Sequence, residues 1–195
     1  MSNKKYSLAP HPSGLYRIQA LVDLPASGGS PPVKAGDLGG LIASEDSLDS
    51  DPGTSSWVFD GARVYGNARV YGNARVFDGA QVYGDACVSG NVEVSGGVSI
   101  QGSARISSQG HFFWASGVGS ERGTLTVFIA AGGGIQVTRG CFLGTVPEFL
   151  EAAKDNRSEK IFNEYRLLVE AAVSILGGST VKPSASANAH AGLCK

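Results

Sequence analysis

The sequence predicts a mainly β protein built on a short left-handed parallel β-helix of about three coils, and two observations support this fold class. Aliphatic residues recur at every sixth position without interruption from Val58 to Ile106. Gly-Asn and Gly-Asp pairs lie between many of them, and such pairs favour tight turns. One six-residue period therefore accommodates a short strand and a corner, which is the unit of a β-helix. The periodic positions are Val58, Val64, Val70, Val76, Val82, Val88, Val94, Ile100 and Ile106.

The period also predicts where the outward side chains lie. In a triangular coil of three periods, neighbours along the helix axis are about 18 residues apart, whereas residues six apart lie on different faces. The alternating arginines and tyrosines of the repeat are therefore spread over several faces, which argues against a basic-aromatic stripe for nucleic acid. Aromatic ladders exposed to solvent would favour association, so we expect one face to contact another subunit in a dimer or trimer. The predicted interface residues are Phe59, Tyr65, Tyr71, Phe77 and Tyr83.

The segment before the repeat, residues 1–57, predicts an N-terminal β cap. Residues 15–21 alternate as a strand does, and a loop rich in Pro, Gly and Ser spans residues 25–32. Turn signals follow at Gly36-Asp37 and Gly39-Gly40. Because an open end of a β-helix exposes unpaired backbone groups, we expect this segment to cover the first coil of the β-helix at residues 58–106.

The segment after the repeat predicts a β-hairpin within residues 107–143. Its two strands are expected at residues 124–130 and 135–139, on either side of a Gly-Gly-Gly turn. Residues 144–178 predict a helical pair, because Thr145 and Glu148 fit a capping box and apolar residues recur at helical spacing after Ser158. We expect the tail at residues 179–195, with a free Cys194, to be disordered.

Composition restricts the compartment and the partners. With 16 Lys+Arg against 17 Asp+Glu, the net charge of −1 gives no global field that would hold a polyanion. The three cysteines are widely separated and lack CxxC spacing, which argues against a disulfide framework and a zinc site. The sequence shows neither the apolar core of a signal peptide nor a membrane-length apolar stretch. We therefore expect a cytoplasmic protein without metal, cofactor or membrane contact.

Three blocks of the sequence resemble one protein family. They are LYRIQALVDLP with VKAGDLGGLI, FDGARVYGNARVYGNARV, and GVGSERGTLTVF with IQVTRGCFLGTVPEFLEAAK. Together they resemble the phage- and prophage-encoded hexapeptide-repeat proteins, which are left-handed β-helices often labelled as transferases. The resemblance covers roughly residues 6–176 and departs from the family at residues 26–32 and in the tail. It implies a phage or prophage origin, and hence the cytoplasm of a bacterial host, whereas the transferase label rests on fold analogy.

Catalysis has few candidate residues. Hexapeptide-repeat acyltransferases, as a family, use a histidine base near a loop that leaves the coils, but the uninterrupted repeat contains no histidine. Because His11 and His190 lie in ends expected to be flexible, His111 is the candidate base. A Cys141 nucleophile with His111 as its base is the other catalytic hypothesis. A packed cysteine at the end of the hairpin, and a histidine in the wall of an apolar junction, are the favoured interpretations.

A binding site is better motivated at the Gly-rich segment GVGSERGT, residues 117–124. Its glycines would expose backbone N–H groups, hydroxyl side chains add donors, and nearby arginines have the forked geometry that suits phosphate or carboxylate. The alternative is a Gly-rich loop with a solvated arginine. The predicted ligand residues are Ser120, Arg122, Thr124, Arg139 and His111.

The leading functional hypothesis is a non-enzymatic, oligomeric β-helix protein of phage or prophage origin that acts by binding. Its target would be a host protein, such as a defence component, or a small anionic signal, such as a nucleotide. The alternatives are a hexapeptide-repeat acyltransferase and a structural or virion protein.

Overall fold

The computed structural model describes residues 4–177, which form two compact units that divide between Gln109 and Gly110. The first unit is almost entirely β, and the second combines a sheet with two helices. The predicted tail at residues 179–195 lies outside the described residues. The strands of the first unit are β1 (Tyr6–Pro10), β2 (Tyr16–Ala20), β3 (Leu38–Ile42), β4 (Trp57–Val58), β5 (Arg63–Val64), β6 (Arg69–Val70), β7 (Arg75–Val76), β8 (Gln81–Val82), β9 (Cys87–Val88), β10 (Glu93–Val94), β11 (Ser99–Ile100) and β12 (Arg105–Ile106).

The nine strands from β4 to β12 stack as a parallel β-solenoid with three faces. The faces are the sheets β4-β7-β10, β5-β8-β11 and β6-β9-β12. On one face, Arg63 pairs with Gln81, and Gln81 pairs with Ser99, so neighbours follow the predicted 18-residue register. The nine periodic aliphatic residues are at most 1% exposed. The predicted β-helix is therefore confirmed, with its core on the inward aliphatic positions.

The solenoid begins earlier than the repeat at Val58 and has about four turns. Strand β3 pairs in parallel with β5 through Ile42 and Val64, and Leu48 bridges to Val70 on the next face. Ile42 and Leu48 are six residues apart, as the inward residues of the later turns are. The period then breaks, because a turn around Thr54 makes Val58 the next inward residue. Because of this interruption, the first turn of the solenoid is not apparent from the sequence.

An N-terminal antiparallel ribbon covers one edge of the solenoid. Strand β1 pairs with β2, and β2 pairs with β3, which joins the parallel ladder. Gly40 in β3 fits closely, since a Cβ there would lie 2.5 Å from the carbonyl oxygens of Ala62 and Phe59. Lys5 is fully buried and donates from Nζ to Thr54 Oγ1 at 2.7 Å. Burial lowers the pKa of Lys5 to about 8.

The loop at residues 25–32 lies on the β4-β7-β10 face. Arg75 is 0% exposed and donates from Nη2 to the carbonyl oxygen of Pro25 at 2.7 Å. The backbone N–H of Ser30 donates to Glu93 Oε1 at 3.0 Å. Arg75 and Glu93 are direct neighbours in the ladder, but each bonds to the loop. The loop is thus held to the solenoid by two charged side chains of successive turns.

The second unit is a four-stranded antiparallel sheet with two helices packed on one face. The predicted hairpin forms its centre, and one further strand flanks it on each side. Its strands are β13 (Phe112–Val118), β14 (Gly123–Ile129), β15 (Ile135–Arg139) and β16 (Phe142–Thr145), and its helices are α1 (Val146–Asn156) and α2 (Glu159–Ile175). The core between sheet and helices includes Leu125, Val137, Phe149 and Tyr165. In residues 4–177, neither helix is long and apolar enough to cross a membrane.

The predicted capping box at the start of α1 is present. The backbone N–H and the hydroxyl of Thr145 both donate to Glu148 Oε2 at 2.8 Å. These two hydrogen bonds hold the pKa of Glu148 below its ordinary value. The helix therefore begins directly after β16 and lies against the sheet without a linking loop.

Candidate anion-binding site

The Gly-rich segment between β13 and β14 is a tight turn of residues 119–122, here called the 119–122 turn. Its ends are closed by a hydrogen bond from the Arg122 backbone N–H to the Gly119 carbonyl oxygen at 3.2 Å. The N–H of Gly119 donates to Glu164 Oε1 of α2 at 3.1 Å, which fixes the start of the turn. Ser120, Glu121 and Arg122 are exposed, and Arg122 has a positive φ of 49°.

Arg139 lies beside this turn at the end of β15. It pairs with Leu125 and therefore faces the helices, but its guanidinium extends to the turn. Nη2 donates to the carbonyl oxygen of Val118 at 3.1 Å, and Nη1 lies 3.8 Å from Glu121 Oε2. The side chain is only 8% exposed, and its buried Nε has no hydrogen-bond partner among the described residues. Gly123 leaves room for this guanidinium, because a Cβ there would lie 2.5 Å from Nη1.

Arg157, which directly follows α1, contributes a second guanidinium. Its Nη1 lies 3.4 Å from Glu121 Oε1, so the two oxygens of one carboxylate face two arginines. The Arg157 side chain is 20% exposed, whereas that of Glu121 is 51% exposed. Like Arg139, Arg157 has a buried Nε that bonds to nothing within residues 4–177. The three side chains carry a net positive charge in partly desolvated surroundings, where electrostatic interactions are stronger than in water.

The predicted ligand residues are divided by the sheet. Ser120 and Arg122 lie in the turn near Arg139, but Thr124 faces the opposite side, because successive residues of β14 alternate and Leu125 is on the side of Arg139. The Thr124 hydroxyl lies 3.0 Å from the hydroxyl of Ser116. The structure thus brings together only part of the predicted set.

His111 lies at the other end of the sheet. Arg139 pairs with Leu125, which in turn pairs with Ala115, so these three residues lie in one row across the sheet. His111 precedes Ala115 by four residues and therefore lies four rows, or about 14 Å, away along the strands. Cys141 is exposed in the turn between β15 and β16, one row beyond Arg139, because Arg139 pairs with Phe142. A separation of about 17 Å along the strands is far greater than a nucleophile and its base require. The sulfur of Cys141 is also held in a disulfide and is not a thiolate, so the hypothesis of a Cys141–His111 pair is supported neither by chemistry nor by distance.

The predicted interface aromatics form ladders on separate faces of the solenoid. Tyr65 and Tyr83 are stacked with ring centroids 4.8 Å apart, and burial raises the pKa of both. Phe59 and Phe77 meet edge to face at 5.9 Å. Tyr71 is 44% exposed and follows a strand of the third face. Because these residues follow strands of three different faces, one flat interface cannot contain all five.

A comparison with protein families identifies the repeat. A family model described as the YdcK beta solenoid repeat matches residues 62–77 and 80–96. These two segments contain β5 to β10, the regular middle of the stacked coils. The chain is a β-solenoid repeat protein. No curated protein matches it. The matched segments do not include the 119–122 turn, Arg139 or Arg157.

The β-solenoid also has an open groove of about 460 Å³ beside its first turns. Three carboxylates, Glu45, Asp46 and Asp49, line it together with Arg69 and Tyr71. Together with burial, the three carboxylates raise the pKa of Tyr6 above its ordinary value. The groove is thus an acidic surface that is chemically distinct from the arginine site of the second unit.

Sequence reasoning missed Arg157 and the role of Glu121. Glu121 and Arg122 are neighbours in the Gly-rich segment, and the arginine was chosen as the ligand donor because of its charge. In the structure, Glu121 faces both buried guanidinium groups, whereas Arg122 is exposed. No local pattern indicates this arrangement, because Arg157 reaches the turn only through the packing of α1 against β15 and β16.

Proposed function

We propose that this β-solenoid protein is a non-enzymatic binding protein that takes a small anionic ligand at the 119–122 turn of its second unit. The observation that carries the proposal is the environment of Arg139. Its guanidinium is 8% exposed, yet Nε lacks an acceptor in the described part of the chain. A buried donor without a partner costs about 1–3 kcal/mol, and more in a charged group, so an arrangement of this kind favours an additional acceptor.

The chemistry of the donors indicates the class of ligand. A guanidinium donates along a planar fork that matches the paired oxygens of a carboxylate or a phosphate. The chain as a whole has a net charge of −1, so attraction of an anion depends on the local arginines and not on a global field. A nucleotide or a similar phosphate-bearing metabolite fits this description.

The proposed biological setting follows from the resemblance of residues 6–176 to phage- and prophage-encoded proteins. We propose that the chain acts in the cytoplasm of a bacterial host and withdraws an anionic signal, such as a cyclic nucleotide, from a host system. In this proposal the solenoid is the scaffold, and its exposed Tyr71 supports self-association into a dimer or trimer.

Calorimetric titration of the full chain tests the proposal. The panel contains cyclic nucleotides, nucleoside monophosphates and succinate. We expect at least one ligand to bind, and Arg139→Ala to weaken it about tenfold or more, as loss of a charge-assisted contact does. His111→Ala is the matched control, because His111 belongs to the same unit but lies about 14 Å away along the strands. Absence of binding by every ligand at millimolar concentration, or equal weakening by both substitutions, would show the proposal to be wrong.

A further inference from the structure

We propose that Glu121 is the resident ligand of a two-arginine receptor, in which Arg139 and Arg157 converge on a carboxylate that an external carboxylate or phosphate group displaces. The inference rests on the proposed function. It adds the chemical class of the ligand and names the side chain that occupies the site when no ligand is bound. It assigns roles to two residues, Glu121 and Arg157, that are not among the ligand residues predicted from the sequence.

The ion pairs around Glu121 are long. Its oxygens lie 3.8 Å from Arg139 Nη1 and 3.4 Å from Arg157 Nη1. Strong arginine–carboxylate pairs are bidentate with N–O distances of about 2.7–2.9 Å. One carboxylate therefore lies between two guanidinium groups and makes a close, forked contact with neither. A group attached to an independent molecule could approach both without the restraint of the turn.

The three side chains differ in how firmly they are held. Arg139 is 8% exposed, donates to the Val118 carbonyl oxygen, and lies against Gly123. Arg157 is 20% exposed, whereas Glu121 is 51% exposed. The acceptor is consequently the partner that can move into solvent at small cost, and the donors are the preorganised part of the site.

The donor atoms of the site exceed the acceptors that Glu121 offers. The Nε atoms of Arg139 and Arg157 are both buried, and neither has an acceptor within residues 4–177. A carboxylate provides two oxygens, and both face Nη1 atoms. The three non-bridging oxygens of a phosphomonoester offer one more acceptor than a carboxylate, and the two of a phosphodiester match it in number and sign of charge.

The turn that carries Glu121 contains a strained residue and is anchored at its start. Arg122, the next residue, is a non-glycine residue with φ of 49°, a conformation that costs about 1–2 kcal/mol. Gly119, at the start of the turn, is anchored to Glu164 of α2. An outward movement of residues 120–122 would break the hydrogen bond from the Arg122 N–H to the Gly119 carbonyl oxygen, and the release of strain at Arg122 would offset part of that cost.

The competing interpretation is a structural clasp, in which Glu121 only ties the turn to β15 and α1. The two interpretations differ in the effect of Glu121→Gln on binding. If Glu121 is only a structural clasp, Glu121→Gln should lower the stability of the protein and leave its anion affinity unchanged. A resident ligand predicts tighter binding of external anions, because the competing intramolecular charge has been removed while both arginines remain.

Titration calorimetry and thermal unfolding of the full chain separate these outcomes. The probes are inorganic phosphate, 3′,5′-cyclic AMP and succinate, so that phosphate, phosphodiester and carboxylate are each represented. The variant is Glu121→Gln, and the matched control is Glu170→Gln on α2, whose carboxylate pairs with Arg166. We expect Glu121→Gln to bind the preferred probe about tenfold more tightly than the wild type, and Glu170→Gln to bind like the wild type.

Arg157→Lys, made in both backgrounds, tests the second arginine. It keeps the positive charge but loses the fork, so we expect it to remove most of the gain that Glu121→Gln produces. The anion-dependent rise in Tm should be larger for Glu121→Gln than for the wild type, because two uncompensated arginines gain an acceptor.

The results distinguish the two proposals. If the wild type binds an anion and Glu121→Gln binds it no more tightly, the resident-ligand inference is overturned and the proposed function stands. If neither protein binds any probe at millimolar concentration, the proposed function itself fails. If Glu121→Gln gains affinity but Arg157→Lys leaves that gain intact, the two-arginine receptor is wrong.

Discussion

The two units of the protein differ in how their contacts follow from the sequence. In the solenoid, an outward residue meets the residue one coil away, as Arg63, Gln81 and Ser99 do, so the neighbours can be read from the period. In the second unit, Glu121 meets Arg139 and Arg157, and no period relates the three positions. A repeat therefore determines which residues are adjacent. In a non-repeating unit, charged residues can be brought together by tertiary packing, and the local sequence pattern does not show which ones.

The largest expected effect is in the solenoid core. Val82 is 0% exposed, and its replacement by Asp would bury a carboxylate among aliphatic side chains. We expect Val82→Asp to lower the free energy of unfolding by about 4 kcal/mol or more, as measured by urea denaturation. The adjacent Gln81→Asp, on an outward position of the same strand, should change it by less than about 1 kcal/mol. Equal losses of unfolding free energy in the two variants would show that the period does not determine which residues form the core.

A smaller loss is expected where the solenoid meets a segment that the period does not predict. Arg75→Ala removes the donor to the Pro25 carbonyl oxygen and the packing of the guanidinium 5.6 Å from the Phe59 ring centroid. We expect a loss of about 2 kcal/mol in the free energy of unfolding. Arg69→Ala, at an exposed position on another face, should cost less than about 0.5 kcal/mol. A similar cost for both would show that the loop at residues 25–32 is not held by Arg75.

The pH dependence of stability tests the N-terminal ribbon. Burial lowers the pKa of Lys5 to about 8, below its ordinary value, so the unfolded chain binds more protons than the folded chain above that pH. The free energy of unfolding should therefore rise between about pH 8 and pH 10, by roughly 2 kcal/mol. Above that range Tyr6 acts in the opposite direction, because its pKa is raised by burial and the unfolded chain loses the proton first.

Lys5→Met separates the two contributions. The variant should lose the rise between about pH 8 and pH 10 in denaturation curves and keep the fall at higher pH. The exposed Lys34→Met is the control and should retain the wild-type profile. If the rise persists in Lys5→Met, the buried amine is not its source.

The smallest expected effect concerns the exposed face of the solenoid. Tyr71 is 44% exposed, so Tyr71→Ser should change the free energy of unfolding by no more than about 0.5 kcal/mol. In the proposed self-association, however, the same substitution should shift sedimentation velocity towards the monomer. If the wild type is an oligomer and Tyr71→Ser sediments in the same way, the interface lies on another face.

Most of the solenoid could be predicted because each turn repeats the same local requirements. Inward aliphatics, corner glycines and the 18-residue register all followed from one period. The first turn was missed because the turn around Thr54 shifts the next inward position to Val58. Ile42 and Leu48 carried the signal, but two positions without a following third do not define a period.

The candidate site could be predicted only in part. The Gly-rich turn and Arg139 were identified from the sequence, and the alternation of a strand would have placed Thr124 on the face opposite Leu125. The distance of His111 from the site depends on the register of β13 and β14, which no residue type reveals. Arg157 is brought to the turn by helix packing, so its contribution required the tertiary structure.

The antiparallel ribbon at the start of the chain has a consequence for assembly. A stack of parallel coils is in principle a template on which further chains could polymerise end to end, since each edge strand offers backbone groups to the next. Strand β2 enters beside β3 with reversed polarity, and β1 follows it. Because β2 already pairs with β3, the backbone groups on this side of β3 are not open to a coil of another chain. The ribbon therefore covers the first edge of this one face of the solenoid with strands of the same chain.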